Sequence, residues 1–363
     1  MYSLILIIFA ACLVIGVPIA FSMGGLGILW SLFTGNELTL VARRMYYGVD
    51  SFTLLAVPLF MLSATLMNSG DLSSKLVEFC RVFFGRFKGG LAYINIVASM
   101  LFAGMSGSSQ ADTAGIGGIL MPEMEKEGYP ADITTGVTAA SSTIGVIIPP
   151  SIPMLVMGSV VSISVAGMFL GGLLPGIIVG LMQCVQIYVM SKRHHFPSTK
   201  TYSFHESMRM IWRGIPALII PVIIVGGTGL GIFTSTEASV VCVFYALFVG
   251  LISRQLNIKK IWKALKDIAV LSSIPLLICS VGFPLGWIMA YEGIPQALSE
   301  GITSFTSSPI VVMGLIGMVV LAMGCFVDNI VIISIMAPIL YPVAISVGIH
   351  PIHFAIVFVV GSA

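Results

Sequence analysis

Long apolar runs recur from one end of this 363-residue chain to the other, and no other feature limits its fold so strictly. The runs Leu4–Leu32, Phe52–Met67, Gly90–Ala103, Val165–Met190, Ile215–Leu230, Thr236–Ile252, Val270–Ala290 and Val311–Phe326 meet or approach the length of about 20 residues that a helix needs to cross a bilayer core. With 57% hydrophobic and only 9% charged residues, the chain does not have the balance of a water-soluble domain. In lipid, every backbone N–H and C=O must be paired within the protein, which helices achieve without an open edge. The expected fold class is an all-α polytopic membrane protein, with the lipid bilayer as its surroundings. The first run lacks a basic leading segment and a small-x-small cleavage site, so it is expected to be a retained helix. Cys12, Cys80, Cys184, Cys242, Cys279 and Cys325 stand singly and indicate neither a disulfide framework nor a metal site. A net charge of +2 gives no electrostatic case for a nucleic-acid partner.

Four short matches fall in the same order at one offset. Leu32-Phe33-x-Gly35 returns as Leu247-Phe248-x-Gly250, Pro58-Leu59 as Pro275-Leu276, Asp112 as Asp328, and Pro122 as Pro338, all about 216 residues apart; a duplication is the expected cause. Cytoplasmic loops carry excess Lys and Arg. Lys192, Arg193, Lys200, Arg209 and Arg213 place 191–213 in the cytoplasm, and Arg254, Lys259, Lys260, Lys263 and Lys266 do the same for 254–268. The repeat partner of the latter, 37–50, has Arg43 and Arg44 offset by Glu37 and Asp50. Lys75, Arg81, Arg86 and Lys88 mark 71–88 as cytoplasmic, whereas its partner 294–308 has no basic residue. The bias alternates between the halves, as an inverted repeat requires. Secondary transporters are commonly built this way, with their sites at the midplane where the repeats meet. The expected organisation is a first inverted repeat over 1–190 with a hairpin near 100–125, a cytoplasmic loop and linking helix over 191–231, and a second repeat over 232–363. Ile258, Ile261, Trp262, Leu265 and Ile268 form one helical face, and Leu72, Leu76, Phe79, Phe83 and Phe87 another. Both segments read as helices on the membrane surface, serving either as functional braces or as connectors that pack on their neighbours.

Two stretches carry chemistry. Ser99 to Gly115 gathers Ser106, Gly107, Ser108, Ser109, Gln110, Asp112 and Thr113 in a region otherwise at membrane depth. Non-helical backbone is tolerable there only when buried in protein or lining a cavity. A re-entrant hairpin fits, its hydroxyls and carbonyls being hard oxygen ligands suited to Na⁺; the alternative is a small-residue helix-packing seam. The second stretch runs from Thr138 through Ser141, Ser142, Thr143 and Gly145 to Pro149-Pro150-Ser151-Ile152-Pro153. Consecutive prolines remove donors and break the helix. The residues expected to bind substrate or ion are Ser106, Gly107, Ser108, Ser109, Asp112, Ser142, Thr143, Gly145, Pro149 and Pro150, with Gly324 and Asp328 in the second half. Ser106, Ser108, Thr143 and Gly145 are the Na⁺ candidates, and no cofactor besides this coupling ion is expected. Asp112 and Asp328, at equivalent repeat positions, either ligate an ion or accept hydrogen bonds from backbone N–H groups, the second role being favoured. Glu237 fits the interface or a helix N-terminus, and Glu123, Glu125, Lys126 and Glu127 a solvated turn.

The runs Pro58-Leu-Phe-Met-Leu, Ser106-Gly-Ser-Ser-Gln-Ala-Asp112, Met121-Pro-Glu-Met124 with Gly128-Tyr129, Ala139 to Gly145, Ile148-Pro-Pro-Ser-Ile-Pro153, Leu174-Pro-Gly176, Thr236-Glu-Ala238 and Pro338-Ile-Leu-Tyr-Pro342 together resemble the large membrane subunit of TRAP transporters, the tripartite ATP-independent periplasmic family. The resemblance covers essentially the whole chain. It implies an elevator-type, Na⁺-driven transporter in a bacterial inner membrane, with two re-entrant hairpins and broken helices. It also implies two partners, a small TRAP membrane subunit and a periplasmic substrate-binding protein, and small carboxylates such as dicarboxylates or sialic acids as substrates. Val146 departs from the family, which commonly has proline there.

Three other expectations follow. Gly104-Met105-Ser106-Gly107 has the form used by intramembrane serine proteases, but such a serine needs a base. Of His194, His195, His205, His350 and His353, only His353 fits membrane depth, which makes an enzyme the weaker reading. A nearer competitor is an inverted-repeat Na⁺/divalent-anion symporter that works without a binding protein. Finally, the repeat offset places the partner of Pro149-Pro150 beyond Gly361-Ser362-Ala363, so the second repeat is expected to be truncated.

Overall fold

The computed structural model describes residues 2–193, 196 and 202–363, whose regular elements are helices, with no strand among them. His194, His195 and Lys200 lie outside the described residues. In chain order the helices are α1 (Tyr2–Ile15), α2 (Ile19–Thr34), α3 (Leu38–Val49), α4 (Ala56–Ser69), α5 (Leu72–Phe84), α6 (Gly90–Ser106), α7 (Ser109–Asp112), α8 (Gly118–Lys126) and α9 (Ala131–Ser142). They continue with α10 (Ile152–Val161), α11 (Val165–Arg193), α12 (Phe204–Gly229), α13 (Ser235–Ile252), α14 (Ile258–Tyr291), α15 (Ile294–Phe305), α16 (Pro309–Gly324), α17 (Asn329–Ser346) and α18 (Pro351–Ser362). A π-turn over Thr113–Gly117 joins α7 to α8, and a 3₁₀ turn over Thr143–Val146 extends α9. Five of these helices, α11 to α14 and α17, are long and apolar enough to cross a membrane.

Several sequence expectations are corrected. The first apolar run is not one helix: Gly16 is left-handed and Pro18 has no N–H to donate, so the chain stops at Ile15 and restarts at Ile19. The segment 254–268 is not a separate surface helix, because nothing between Ile258 and Val270 breaks the backbone and α14 runs on unbroken. Glu123 to Lys126 belong to α8, and the turn itself begins at Glu127. On α5, Leu72 and Leu76 are buried as expected, together with Val77 and Cys80, whereas Phe83, and Phe87 beyond its end, are exposed.

The chain divides into two compact units. One comprises the chain up to Leu55, Pro153–Ser164 and the chain from Val270 onward. Its core is Met23, Leu26 and Trp30 of α2 against Ile278, Val281, Leu285 and Ile288 of α14. Trp30 Nε1 donates to Glu292 Oε1 at 2.7 Å, and its ring packs edge-on to Trp287 and Tyr291.

The other unit comprises Ala56–Ile152 and Val165–Ala269. Here α4 packs on α13, α5 on α12, and α6 on both α5 and α9. Two helices of this unit open with reciprocal caps, Ser203 with Glu206 and Thr234 with Glu237. The Thr234 N–H donates to Glu237 Oε2 at 2.8 Å, and the Glu237 N–H to Thr234 Oγ1 at 3.2 Å. Glu237 is therefore a helix-starting residue. Arg81 of α5 pairs with Glu123 of α8 and ties the return arm of the first hairpin to its neighbour.

Candidate functional site

The first hairpin is set by its glycines and caps. Gly107 ends α6 in a left-handed conformation with φ +65, which non-glycine residues adopt only at a cost. A Cβ there would stand 2.7 Å from the Pro150 carbonyl oxygen, so the tip rests directly on the broken helix. A Cβ on Gly145 would likewise lie 3.1 Å from the Ser108 carbonyl oxygen. The Ile152 N–H donates to the Gly107 carbonyl at 3.1 Å, which closes the contact from the far side of the Pro149-Pro150 pair. Tip and break, two stretches read separately from the sequence, thus form one structure inside one compact unit.

The side chains around this junction differ in how they are satisfied. Ser108 caps α7: its Oγ accepts from the Ala111 N–H at 3.4 Å and donates to Gln110 Oε1 at 2.8 Å. Ser109 Oγ also points to Gln110 Oε1, at 3.5 Å. Ser142 and Thr143 donate back to the Ala139 and Ala140 carbonyls, each at 2.9 Å. Ser151 Oγ holds the Val146 carbonyl at 2.5 Å. Ser106 is fully buried, and its Oγ has no hydrogen-bond partner. Asp112 is 1% exposed, and neither carboxylate oxygen has a partner.

The favoured role for Asp112 is therefore corrected. It accepts nothing from the backbone, because Ser108 has taken the cap and Asp112 lies a turn further along, where the N–H groups are used within the helix. Asp328 does fill that role: its Oδ1 accepts from the Ile330 N–H at 2.9 Å and starts α17. Gly324 ends α16 with space for a Cβ only 3.3 Å from the Ser362 carbonyl oxygen.

A buried polar seam between α6 and α9 escaped the sequence reading. Asn95 donates to Thr138 Oγ1 at 2.8 Å, Ser141 donates to Asn95 Oδ1 at 3.2 Å, and Ser99 donates to Ser141 Oγ at 3.2 Å. Ser99 also lies beside the Asp112 carboxyl. The signal was there in the spacing: Asn95 and Ser99 are one turn apart on an otherwise apolar helix, and Thr134, Thr138 and Ser141 recur at four and three residues. A buried carboxylate and a buried hydroxyl left without partners are costly. Protease chemistry has no support in this geometry, since a nucleophilic serine holds a hydrogen-bonded base and Ser106 Oγ holds none.

Residues 6–362 match the family described as tripartite ATP-independent periplasmic transporter, DctM component. The protein YgiK of Salmonella typhimurium is 37% identical over 356 residues, covering 97% of this chain and 82% of its own. The sialic acid TRAP transporter large permease protein SiaM of Vibrio cholerae is 34% identical over 343 residues, covering 94% and 80%. The C4-dicarboxylate TRAP transporter large permease protein DctM of the same organism is 33% identical over 381 residues, covering 99% and 84%. Among solved structures, the Alcanivorax borkumensis YdaH transporter, described as having an unusual topology, superposes with a TM-score of 0.62 at 16% identity over 92% of this chain and 76% of that one. That likeness concerns the fold.

Proposed function

Since the chain belongs to the family of DctM components of the tripartite ATP-independent periplasmic transporters, we propose that it imports a small carboxylate driven by Na⁺, with the ion held between the first hairpin tip and the broken helix. The coarser statement needs no proposal: the chain is a large permease subunit, a multi-pass protein of the inner membrane and not an enzyme. The substrate arrives on a periplasmic binding protein, and a small membrane subunit completes the assembly. A relative named as the isethionate TRAP transporter permease protein DctMQ, 33% identical over 359 residues, supports the second partner by its composite name.

The observation that carries the ion reading is the presence on one hairpin of two unsatisfied buried groups, Ser106 Oγ and the Asp112 carboxylate, with the tip packed on Gly145 and Pro150. Freed carbonyls and hydroxyls at a helix break are what Na⁺ sites in such carriers are built from. In this reading Ser106 and Asp112 supply side-chain oxygens, Gly107 and Gly145 permit the close approach, and Ser108 and Ser109 hold the tip through Gln110.

The inverted topology is also proposed, and contacts inside each unit support it. Lys260 Nζ reaches the Ser69 carbonyl at 3.2 Å, which brings the start of 71–88 to the segment 254–268. Phe196 packs on the Gly89 backbone, which brings the end of 71–88 to the linker. Trp30 reaching Glu292 gathers the 37–50 and 294–308 ends in the same way. These are the groupings the charge bias requires of two sides.

The test is uptake into proteoliposomes carrying the chain with its two partners, titrated with Na⁺. Substrate accumulation should follow the Na⁺ gradient, and Ser106→Ala should shift the half-saturating Na⁺ upward without lowering the amount of folded protein. Unchanged Na⁺ titration curves in this variant would remove the site. Transport by the purified chain alone would favour the symporter that needs no binding protein.

A further inference from the structure

Two helices of this chain, α11 and α12, carry charges near an end that follow the helix dipole. On α12 the first turn holds Glu206, and on α11 the last turn holds Lys192 and Arg193. Negative charge at the N-terminal pole and positive charge at the C-terminal pole are each stabilising. On α14 the arrangement is reversed: the first turn has no acid and carries Lys259 and Lys260, with Lys263 and Lys266 in the turns that follow.

The lysines divide by role. Lys260 is spent inside the protein, on the Ser69 and Gln255 carbonyls at 3.2 and 2.8 Å. Lys259, Lys263 and Lys266 are exposed and, among the described residues, in no ion pair. Spaced by four and three residues, they form one stripe. The stripe is flanked by Trp262, 60% exposed, whose ring lies 5.9 Å from Lys266 Nζ. Ile258 and Leu265, also exposed, complete that flank, while Ala264 and Ile268 on the opposite side are buried. Asp267 is the acid of this segment; it stands one turn after Lys263, at the edge of the stripe, and is in no ion pair among the described residues. After Asp267 the same helix becomes an apolar span.

We propose that the stripe Lys259, Lys263 and Lys266, with Trp262, is a binding site for the headgroups of anionic phospholipids. Three like charges one turn apart repel one another and sit at the pole that disfavours them. An anion supplied from outside relieves both penalties. The position selects a lipid as that anion, because past Asp267 the helix passes into apolar residues and Trp262 is of the type that settles at headgroup depth. A clustered basic segment beside a span is the arrangement that attracts acidic leaflets.

The test compares the full-length chain in nanodiscs of phosphatidylcholine and of phosphatidylcholine with phosphatidylglycerol, reading the thermal midpoint and the phosphatidylglycerol retained after exchange into detergent. Wild type should retain the acidic lipid and melt higher in its presence. Each lysine removed should weaken retention roughly fivefold, so the triple variant K259Q/K263Q/K266Q should lose both effects. In pure phosphatidylcholine its midpoint should match or exceed the wild type, because the repulsion is gone. The triple variant K259R/K263R/K266R should keep both effects, and R209Q/R213Q on α12 should leave them intact. Equal retention by wild type and the glutamine triple, or loss of retention in R209Q/R213Q alone, would overturn the assignment. Should the glutamine triple not fold, K263Q/K266Q decides by the same readings.

Discussion

In the first hairpin the tip residues Met105, Ser106, Gly107 and Ser108 are buried, whereas in the second Cys325, Phe326 and Asp328 are exposed, Phe326 to 90%. The helices nevertheless follow one order. Ser109 and Asn329 begin the helices after the tips, Lys126 and Ser346 end them, and Ala131 and Pro351 begin the next helices, each pair 220 positions apart. In that register Ile119-Leu120-x-Pro122 corresponds to Ile339-Leu340-x-Pro342. Asp328 then corresponds to Ser108, not to Asp112. The offset of about 216 read from single residues is one helical turn short, and a slip of that size returns the same helix face, so isolated Asp and Pro matches survive it. The comparison teaches where the unsatisfied acid lies. In the second hairpin the acid is used as the cap and is satisfied by Ile330 N–H; in the first a neutral serine caps, and the acid is left buried with only the Ser99 hydroxyl beside it.

The largest expected effect comes from glycine at the two tips. Gly107→Ala forces a left-handed alanine, a cost of roughly 1–2 kcal/mol, and drives its methyl against the Pro150 carbonyl oxygen, with overpacking of about 1–3 kcal/mol. Gly324 has no positive φ, and its nearest neighbour is 3.3 Å away, so Gly324→Ala needs only a small adjustment. Thermal unfolding in detergent should show a large drop for the first variant and a small one for the second. Equal drops would mean that the buried tip is no more constrained than the exposed one.

Next in size is the buried acid. Asp112→Asn keeps the shape and removes the charge, so the Na⁺ concentration for half-maximal uptake should rise about tenfold or more, equivalent to roughly 1.4 kcal/mol of ion binding. Its thermal midpoint without Na⁺ should rise as well, because an uncompensated carboxylate has been removed from an apolar site. An unchanged Na⁺ response would place the ion elsewhere. Ser106→Ala should have a smaller effect in the same direction, roughly threefold to tenfold, since a hydroxyl contributes about 0.5–1.5 kcal/mol. Thr143→Ala should change little, because Thr143 is only partly buried and its hydroxyl is held by Ala140 within its own helix.

How much of this was legible follows from what periodicity and punctuation encode. Long apolar runs gave the spans, and Gly107 and Pro149-Pro150 marked the tip and the break because those residues have few other uses inside a membrane. Two things were hidden. The continuity of α14 through the basic segment could not be read from amphipathicity, since a surface helix and the first turns of a span share one pattern. The partner of each polar residue was equally hidden: Ser106, Ser108 and Ser109 look alike in sequence, and only packing leaves the first without a bond while the others meet Gln110. Asn95 and Ser99 were legible in spacing, but they count as a seam only once α9 is known to lie against α6.

The smallest effect is the sharpest check on the comparison, because it asks whether Asp328 acts by shape or by charge. As the N-cap of α17 it needs one acceptor oxygen aimed at the Ile330 N–H, and asparagine serves there nearly as well as aspartate. Asp328→Asn should therefore keep stability within a few tenths of a kcal/mol and leave the Na⁺ titration of uptake unchanged, whereas Asp328→Ala should cost about 1 kcal/mol with the Na⁺ response still intact. The pattern expected of Asp112 is the reverse, with the ion response weakened on the charge-neutral substitution. An Asp328→Asn variant that folded normally but needed far more Na⁺ would show that the second acid also ligates the ion, and the two tips would then differ in burial but not in task.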